Sequence, residues 1–310
     1  MAPASPLLVR LPNWVGDVVI ALPILDALCK AGFELTLAGR AWCGDLLAAY
    51  PLPRVAMTRN HLSAARRLRR LEIRHGLLLT RSFGSALEAR LAGMRVVGYR
   101  AEGRSWLLYR SLGKGAGDHI LDYYWRLGRL ACGAFGGDPE PFAGAPGTPL
   151  LRLTAEDRDR ASAALAGAAV EAPFQVWCPL AANTIHGHSK VWPHFGELCR
   201  RGLADGVRVV CCPGPGQEEQ ARAALPEAVS LEGLGLAAMA GVMERACFVL
   251  ANDTGPMHVA AAVRAPVLGL FGPGNDPGRT GPVGGSTLGG GDAWPDLETV
   301  LAEVRRHART

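Results

Sequence analysis

The chain has 310 residues, of which 49% are hydrophobic and 20% are charged, and its net charge is +5. This length fits two domains of ordinary size, and the absence of any apolar run of about 18 residues excludes a predicted membrane-spanning helix. Aromatic residues make up only 6% of the chain. Because no recognition motif accompanies the arginines either, the sequence does not indicate a nucleic-acid-binding protein.

The predicted elements alternate between strand and helix along the whole chain. In the first half we predict a helix from residue 16 to about residue 30, further helices near 42–49, 63–71, 85–92 and 119–131, and strands near 7–11, 34–38, 54–57, 76–80 and 95–99. Residues 133–149 are rich in glycine and proline and indicate a linker. In the second half we predict helices near 155–166, 193–203, 217–225, 236–245 and 297–306, and strands near 174–179, 207–212, 229–231, 248–251 and 267–271. Such alternation is typical of parallel, doubly wound sheets.

The segment FVLANDTGPMHVAAAVRAPVLGLFGP carries the strongest chemical signal. A buried strand ends at Ala251, the turn holds Asp253, Thr254 and Gly255, and a helix begins near His258. In open α/β sheets, ligands bind beyond the carboxyl ends of strands, where backbone N–H groups and the helix dipole attract anions such as a diphosphate. The alternative is that Asp253 and Thr254 only cap the helix.

A similar unit stands at the start of the chain, in LLVRLPNWVGDVVIALPILDALCK. Asp17 follows a short strand and lies at the start of a helix, where the dipole favours its ionised form. Asp17 is therefore a candidate weak base, although helix capping explains it equally well on this segment alone. The glycine fingerprint of dinucleotide-binding domains and the Gly-Lys-Ser/Thr phosphate loop are both absent from the first turn, which disfavours dehydrogenases and P-loop enzymes.

Five segments in the same order resemble the ADP-heptose:lipopolysaccharide heptosyltransferases of glycosyltransferase family 9, particularly the heptosyltransferase II branch. They are LPNWVGDVVIALPILDAL, DHILDYYWRLGRL, SKVWPHFGELC, GPGQEEQARAAL and NDTGPMHVAAAVRAPVLGLFGP, the last extended by GPGNDPGRTGPVG. The resemblance implies an α/β protein of the GT-B fold, with two Rossmann-like doubly wound domains facing a cleft. Residues 1–150 would bind the acceptor and residues 151–310 the nucleotide sugar. The last helix, about residues 295–308, would cross back to the first domain.

The implied activity is inverting transfer of a heptose from ADP-L-glycero-β-D-manno-heptose to the inner core of lipopolysaccharide (Kdo and heptose on lipid A). By resemblance Asp17 is the catalytic base, and Lys190 neutralises the phosphates of the departing ADP. Acceptor binding is expected from Asn13 and Arg104. No cofactor and no bound metal is expected, since a cation and oriented N–H groups can stabilise the leaving group.

The donor-binding residues follow from the same resemblance. Asp253, Thr254 and Gly255 are expected to contact the diphosphate and the sugar, with His258 close to them, and Glu218 is expected to bind the ribose. The segment AANTIHGHSK differs from the family in spacing, so both Asn183 and Thr184 stay candidates for the small polar contact before Lys190.

Charge is concentrated between Arg54 and Lys114, where fourteen basic and three acidic residues give +11, so the rest of the chain is net acidic. One interpretation is an arginine-rich surface facing solvent. The other is a basic face that meets the anionic acceptor and the anionic surface of the inner membrane. The N-terminal MAPASPLLVRL lacks the order of a signal peptide, so we expect a cytoplasmic protein that is peripheral to the inner membrane.

The eight cysteines include no Cys-x-x-Cys pair, and we expect reduced thiols. His186 and His188 have no acidic or thiol neighbour at a familiar spacing, which disfavours zinc. Other functions stay open: a nucleotide-sugar 2-epimerase of the same fold, a transferase with another sugar donor or acceptor, or a binding module without catalysis. The presence of both Asp17 and Lys190 argues against the last.

Overall fold

The computed structural model describes residues 5–308, except 114, 116, 182, 183 and 186. The chain divides into two compact units. The first holds the described residues up to Gly44 together with Tyr50–Pro149. The second holds Asp45–Ala49 together with the described residues from Leu150 onward.

The described part of the first unit contains a six-stranded parallel sheet. Its strands are β1 Ser5–Arg10, β2 Phe33–Gly39, β3 Arg54–Ala56, β4 His75–Leu78, β5 Arg95–Tyr99 and β6 Arg110–Leu112, in the order β3-β2-β1-β4-β5-β6. The helices are α1 Val15–Ile20, α2 Leu22–Lys30, α3 Cys43–Leu46, α4 His61–Arg69, α5 Phe83–Leu91 and α6 Ile120–Phe135, with 3₁₀ turns at Arg104–Leu107 and Glu140–Phe142. Leu7, Leu8 and Val9 of β1 are all fully buried, as expected for a central parallel strand covered on both faces.

The helix predicted from residue 16 to residue 30 is two helices, α1 and α2, joined at Ala21. Pro23 lies in the first turn of α2, where its missing N–H costs nothing. In one continuous helix its ring would instead clash with the carbonyl four residues earlier. The break keeps α1 short and places Asp17 in its first turn.

The described part of the second unit repeats this architecture. Its parallel strands are β7 Gln175–Cys178, β10 Val209–Cys211, β11 Val229–Ser230, β12 Phe248–Asn252, β13 Val267–Phe271 and β14 Ser286–Gly289, in the order β11-β10-β7-β12-β13-β14. An antiparallel hairpin is formed by β8 Thr184–Ile185 and β9 His188–Ser189. The helices are α7 Ala155–Gly167, α8 Phe195–Ala204, α9 Glu218–Ala224, α10 Leu236–Glu244, α11 Gly255–Ala262, α12 Pro277–Thr280 and α13 Leu297–Ala308.

Both sheets have the strand order of a doubly wound Rossmann-like fold. The direction of winding reverses between β1 and β4 in the first sheet, and between β7 and β12 in the second. Ligands of such sheets bind at these reversal points, beyond the carboxyl ends of the strands. The prediction of two doubly wound α/β halves is therefore confirmed. The two reversal points are the positions where ligands are expected to bind.

The final helix α13 packs within the second unit, and its predicted return to the first domain stays a prediction. Val300, Leu301 and Val304 are fully buried in the second unit's core. The Gln175 side chain of β7 also donates a hydrogen bond of 2.9 Å to the Val304 carbonyl. The apolar stripe of α13 is thus used to cover the second sheet.

Candidate functional site

The reversal point of the second sheet holds an ion pair. Asp253 follows β12 and Lys190 follows the β8–β9 hairpin, and the Lys190 Nζ lies 2.5 Å from the Asp253 Oδ2. The same carboxylate oxygen accepts a hydrogen bond of 2.7 Å from the Asn275 Nδ2. The Asp253 side chain is only 7% exposed and that of Lys190 is 16% exposed. A lysine has three N–H donors, so the pair fixes the ammonium while leaving it able to bind a second anion.

Asn252 organises the chain around this pair. It is fully buried, its Oδ1 accepts from the Trp192 N–H at 3.0 Å, and its Nδ2 donates to the Pro179 carbonyl at 2.7 Å. One side chain thereby ties the end of β12 to the segment after β7 and to the segment after Lys190. Neither Asn252 nor Asn275 was predicted from the sequence to be a site residue. A polar residue at the end of an otherwise apolar strand was the available signal for Asn252.

Thr254 is the N-cap residue of α11, and Gly255 is the first residue of that helix. Within the described part of the chain the Thr254 hydroxyl makes no capping bond to α11, and it donates instead to the Asn252 carbonyl at 3.2 Å. The Asp253 carboxylate binds Lys190 and Asn275. These contacts argue against the interpretation that the two side chains serve only as helix caps. His258 lies on α11 and is 8% exposed.

Glu218 is the first residue of α9, directly after the loop that follows β10. The backbone N–H of Glu218 itself and that of Gly216 hydrogen-bond its carboxylate and hold its pKa below the usual value. The group is therefore a charged acceptor at neutral pH. Thr184 lies on the short strand β8, before Lys190, and Asn183 and His186 lie outside the described residues.

The reversal point of the first sheet holds Asp17 and Asn13. Asn13 is exposed in the loop between β1 and α1, and Asp17 is partly exposed in the first turn of α1. Burial, and then the charge of Asp17, raise the pKa of the Tyr124 hydroxyl on α6 well above its usual value. Asp17 therefore lies close to a buried tyrosine at the edge of the first sheet where a ligand is expected.

Arg104, expected from the sequence to bind the acceptor, is fully buried. Its guanidinium donates to the carbonyls of Tyr99 at 3.0 Å, Ser82 at 2.9 Å and Thr80 at 2.7 Å, and to the Ser85 hydroxyl at 3.1 Å. Burial lowers its pKa to about 10, so it stays charged at neutral pH. These hydrogen bonds give Arg104 a structural role, since an arginine loses its water only where such bonds replace it. Its contact with the acceptor stays a prediction.

The cysteines were expected to be reduced thiols. All eight cysteines are thiols, and burial raises the pKa of Cys43 to about 11 and that of Cys211 to about 12, so these two stay protonated. Among the described residues, no group of three His, Cys, Asp or Glu side chains could hold a metal ion. In the same part of the chain, no helix is long and apolar enough to cross a membrane.

Two doubly wound α/β units of this strand order, with a cation and a helix N-terminus at the reversal point of the second, are typical of glycosyltransferases of the GT-B class. The model of glycosyltransferase family 9 (heptosyltransferase) matches residues 61–292. The chain therefore belongs to this family.

Relatives and solved structures agree with that assignment. The chain is 28% identical to lipopolysaccharide heptosyltransferase 2 of Salmonella typhimurium over 303 residues, covering 88% of this chain and 84% of that protein. It is 29% identical to lipooligosaccharide heptosyltransferase 2 of Haemophilus influenzae over 301 residues, covering 84% and 82%. The structure of E. coli ADP-heptose lps heptosyltransferase II superposes with a TM-score of 0.80 at 23% identity, covering 98% of each chain, and confirms the fold.

Proposed function

We propose that the protein transfers a heptose from ADP-L-glycero-β-D-manno-heptose to the inner core of lipopolysaccharide, with inversion at the anomeric carbon. Membership of family 9 and relatives named heptosyltransferase 2 support the reaction class. The single observation that carries the proposal is the Lys190–Asp253 pair at the reversal point of the second sheet. It offers a fixed cation where a nucleoside diphosphate is expected.

In this proposal the second unit binds the donor. Lys190 neutralises the diphosphate as the bond to the anomeric carbon breaks, and the N-terminus of α11 at Gly255 adds oriented N–H groups. Asp253 holds Lys190, and with Thr254 it faces the sugar. Glu218, held ionised, accepts hydrogen bonds from the ribose hydroxyls.

For two of the proposed donor-binding residues, His258 and Thr184, the structure gives fewer contacts on which to base a role. His258, buried on α11, stands one turn after Gly255 and adds a donor near the phosphates. Thr184 lies on β8, before Lys190 in the chain. We assign both to the donor on the family resemblance of their motifs.

The first unit binds the acceptor in this proposal. Asp17 accepts the proton of the attacking hydroxyl, and Asn13 contacts the acceptor sugar. A carboxylate is a weak base toward a hydroxyl, so proton transfer follows the build-up of positive charge at the anomeric carbon. A single displacement by this route inverts the β configuration of the donor to an α linkage. The cationic contribution comes from Lys190, so we propose that no metal and no cofactor is required.

The proposed function is tested by measuring ADP release from ADP-heptose with and without a deeply truncated core acceptor. We expect release that depends on the acceptor, resists EDTA, and yields an α-linked heptose by NMR. Release without acceptor, together with an isomerised sugar nucleotide, would favour the 2-epimerase alternative. Transfer from another nucleotide sugar at a higher kcat/KM would change the assigned donor and keep the reaction class.

We further propose that the protein works in the cytoplasm, against the anionic face of the inner membrane. Thirteen of the fourteen basic residues between Arg54 and Lys114 lie in the described part of the chain, and all of these except Arg104 are exposed. The two most exposed large apolar side chains of the same segment are Trp106, at 73% exposure, and Leu62, at 60%. Both lie beside the start of α5. The ring centroids of Trp106 and Phe83 are 6.3 Å apart, and His61, the sequence neighbour of Leu62, packs against Gly84.

This surface predicts binding to lipid vesicles that is both electrostatic and apolar. We expect the protein to sediment with phosphatidylglycerol vesicles at low salt, to be released as salt is raised, and not to bind phosphatidylcholine. Replacing Trp106 and Leu62 together by serine is expected to weaken binding by roughly tenfold or more, since both would lose contact with the acyl region. Leu150→Ser, at a leucine 43% exposed in the second unit, is the control. Equal binding of the double variant and the wild type to these vesicles would refute the proposal that this surface contacts the membrane.

A further inference from the structure

Arg81 stands at the reversal point of the first sheet, and the function proposed above gives it no role. It lies in the loop that follows β4, and its side chain is exposed. The Leu79 N–H donates to the Arg10 carbonyl at 3.0 Å, so this loop leaves the sheet beside the loop that follows β1. Asn13 lies in the loop that follows β1, and Asp17 lies just after that loop, in the first turn of α1. Arg81 is thus an exposed cation at the edge of the sheet that carries the proposed base.

The buried side chain of Arg104 holds the loop that carries Arg81. The Arg104 Nη2 donates to the Thr80 carbonyl at 2.7 Å, and its Nη1 donates to the Ser82 carbonyl at 2.9 Å. The residues on both sides of Arg81 are therefore fixed by one buried guanidinium. Ser85 strengthens the loop, because its hydroxyl accepts from the Thr80 hydroxyl at 2.8 Å and donates to the Ser82 carbonyl at 2.8 Å. The backbone at Arg81 therefore needs no further ordering on binding, and only the freedom of the side chain itself is lost.

Arg81 and Asp17 both act on one buried tyrosine. The charge of Asp17 raises the pKa of the Tyr124 hydroxyl and that of Arg81 lowers it, after the larger effect of burial. Burial also lowers the pKa of Arg104, on which the charges of Glu102 and Arg81 act in opposite directions. Because Arg81 itself is exposed, its guanidinium is open to a phosphate or a carboxylate.

We infer that Arg81 binds an anionic group of the acceptor, a phosphate or a sugar carboxylate, and thereby orients the attacking hydroxyl toward Asp17. Arg104 is the positioning residue that holds Arg81 in place. The planar fork of an arginine suits both oxyanions, because it donates two parallel hydrogen bonds. The inference rests on the proposed function, since it requires a sugar acceptor that carries negative charge.

The test compares acceptor kinetics of Arg81→Gln and Arg81→Lys with those of the wild type. We expect the acceptor KM of Arg81→Gln to rise roughly ten- to a hundredfold, with donor KM unchanged, as for loss of a charged hydrogen bond. Arg81→Lys is expected to recover part of the loss. The control is Arg74→Gln, at an exposed arginine just before β4, at the opposite end of the same strand. An unchanged acceptor KM in an active Arg81→Gln enzyme overturns the inference.

Two further arms identify the anion and the role of Arg104. With a dephosphorylated acceptor, a penalty for Arg81→Gln that disappears identifies phosphate, and one that persists identifies the carboxylate. Arg104→Lys is expected to raise the acceptor KM without changing the donor KM, provided that its circular dichroism spectrum and melting temperature show a folded protein. Absence of any heptosyl transfer by the wild type would instead defeat the proposed function, so the two failures are distinguishable.

Discussion

Replacing Asp17 by asparagine is expected to lower kcat for heptosyl transfer by roughly 10²–10⁴-fold, the usual contribution of a general base. Asparagine keeps the size of the side chain but cannot take the proton of the acceptor hydroxyl. The binding of ADP-heptose should stay within about twofold of wild type by calorimetry, because Asp17 belongs to the first unit and the proposed donor contacts to the second. Steady-state kinetics with both substrates varied give the measurement.

The capping alternative for Asp17 predicts a different outcome. An acid in the first turn of a helix stabilises it by about 0.3–1 kcal/mol, so its loss would lower the melting temperature slightly and leave kcat intact. Glu156→Gln is the matched control, because Glu156 is also an acid in the first turn of a helix, α7. If Asp17→Asn lowers only the melting temperature, as Glu156→Gln is expected to do, Asp17 only stabilises the first turn of α1 and another group must be the base.

The fold was predictable from the sequence because its signals are local and repeated. Largely buried parallel strands such as β1 and β12 contain continuous apolar runs, and the turns after them contain the residues that begin helices. What the local signals missed depends on tertiary context. The strand β14 lies in a stretch dense in glycine, and it forms because β13 offers it an edge to pair with. Which sheet the helix α13 packs against likewise depends on tertiary context, because it requires a sheet face that no other helix covers.

The candidate site was only partly predictable, and the reason is burial. Asp253 and Lys190 were recognised from their motifs, and the structure brings them together. Arg104 and Arg81 could not be ranked from the sequence, since both are arginines in loops of one basic segment. The structure separates them: Arg104 is fully buried and bonded to carbonyls, whereas Arg81 is exposed. Which of two like residues reaches a ligand is set by hydrogen bonds that link residues distant in sequence.

Replacing Lys190 by methionine is expected to lower kcat by roughly 10²–10³-fold, comparable with the loss of one preorganised donor to a developing anion. Two effects act in the same direction. The departing diphosphate loses a cation, and the Asp253 carboxylate, only 7% exposed, loses the ion pair that neutralises it. That unpaired negative charge then lies where the diphosphate should bind, so the affinity for ADP is expected to fall as well.

The two effects are separated by combining Lys190→Met with Asp253→Asn. If the repulsion from Asp253 is part of the loss, the double variant should bind ADP more tightly than Lys190→Met alone, while kcat stays low because the cation is still missing. Lys190→Arg keeps a charge and is expected to retain intermediate activity, and Lys30→Met, at an exposed lysine ending α2, is the control for removing a lysine. A Lys190→Met enzyme with normal kcat and normal ADP affinity would show that the pair is structural. The positive charge facing the diphosphate would then have to come from the helix N-terminus at Gly255 alone.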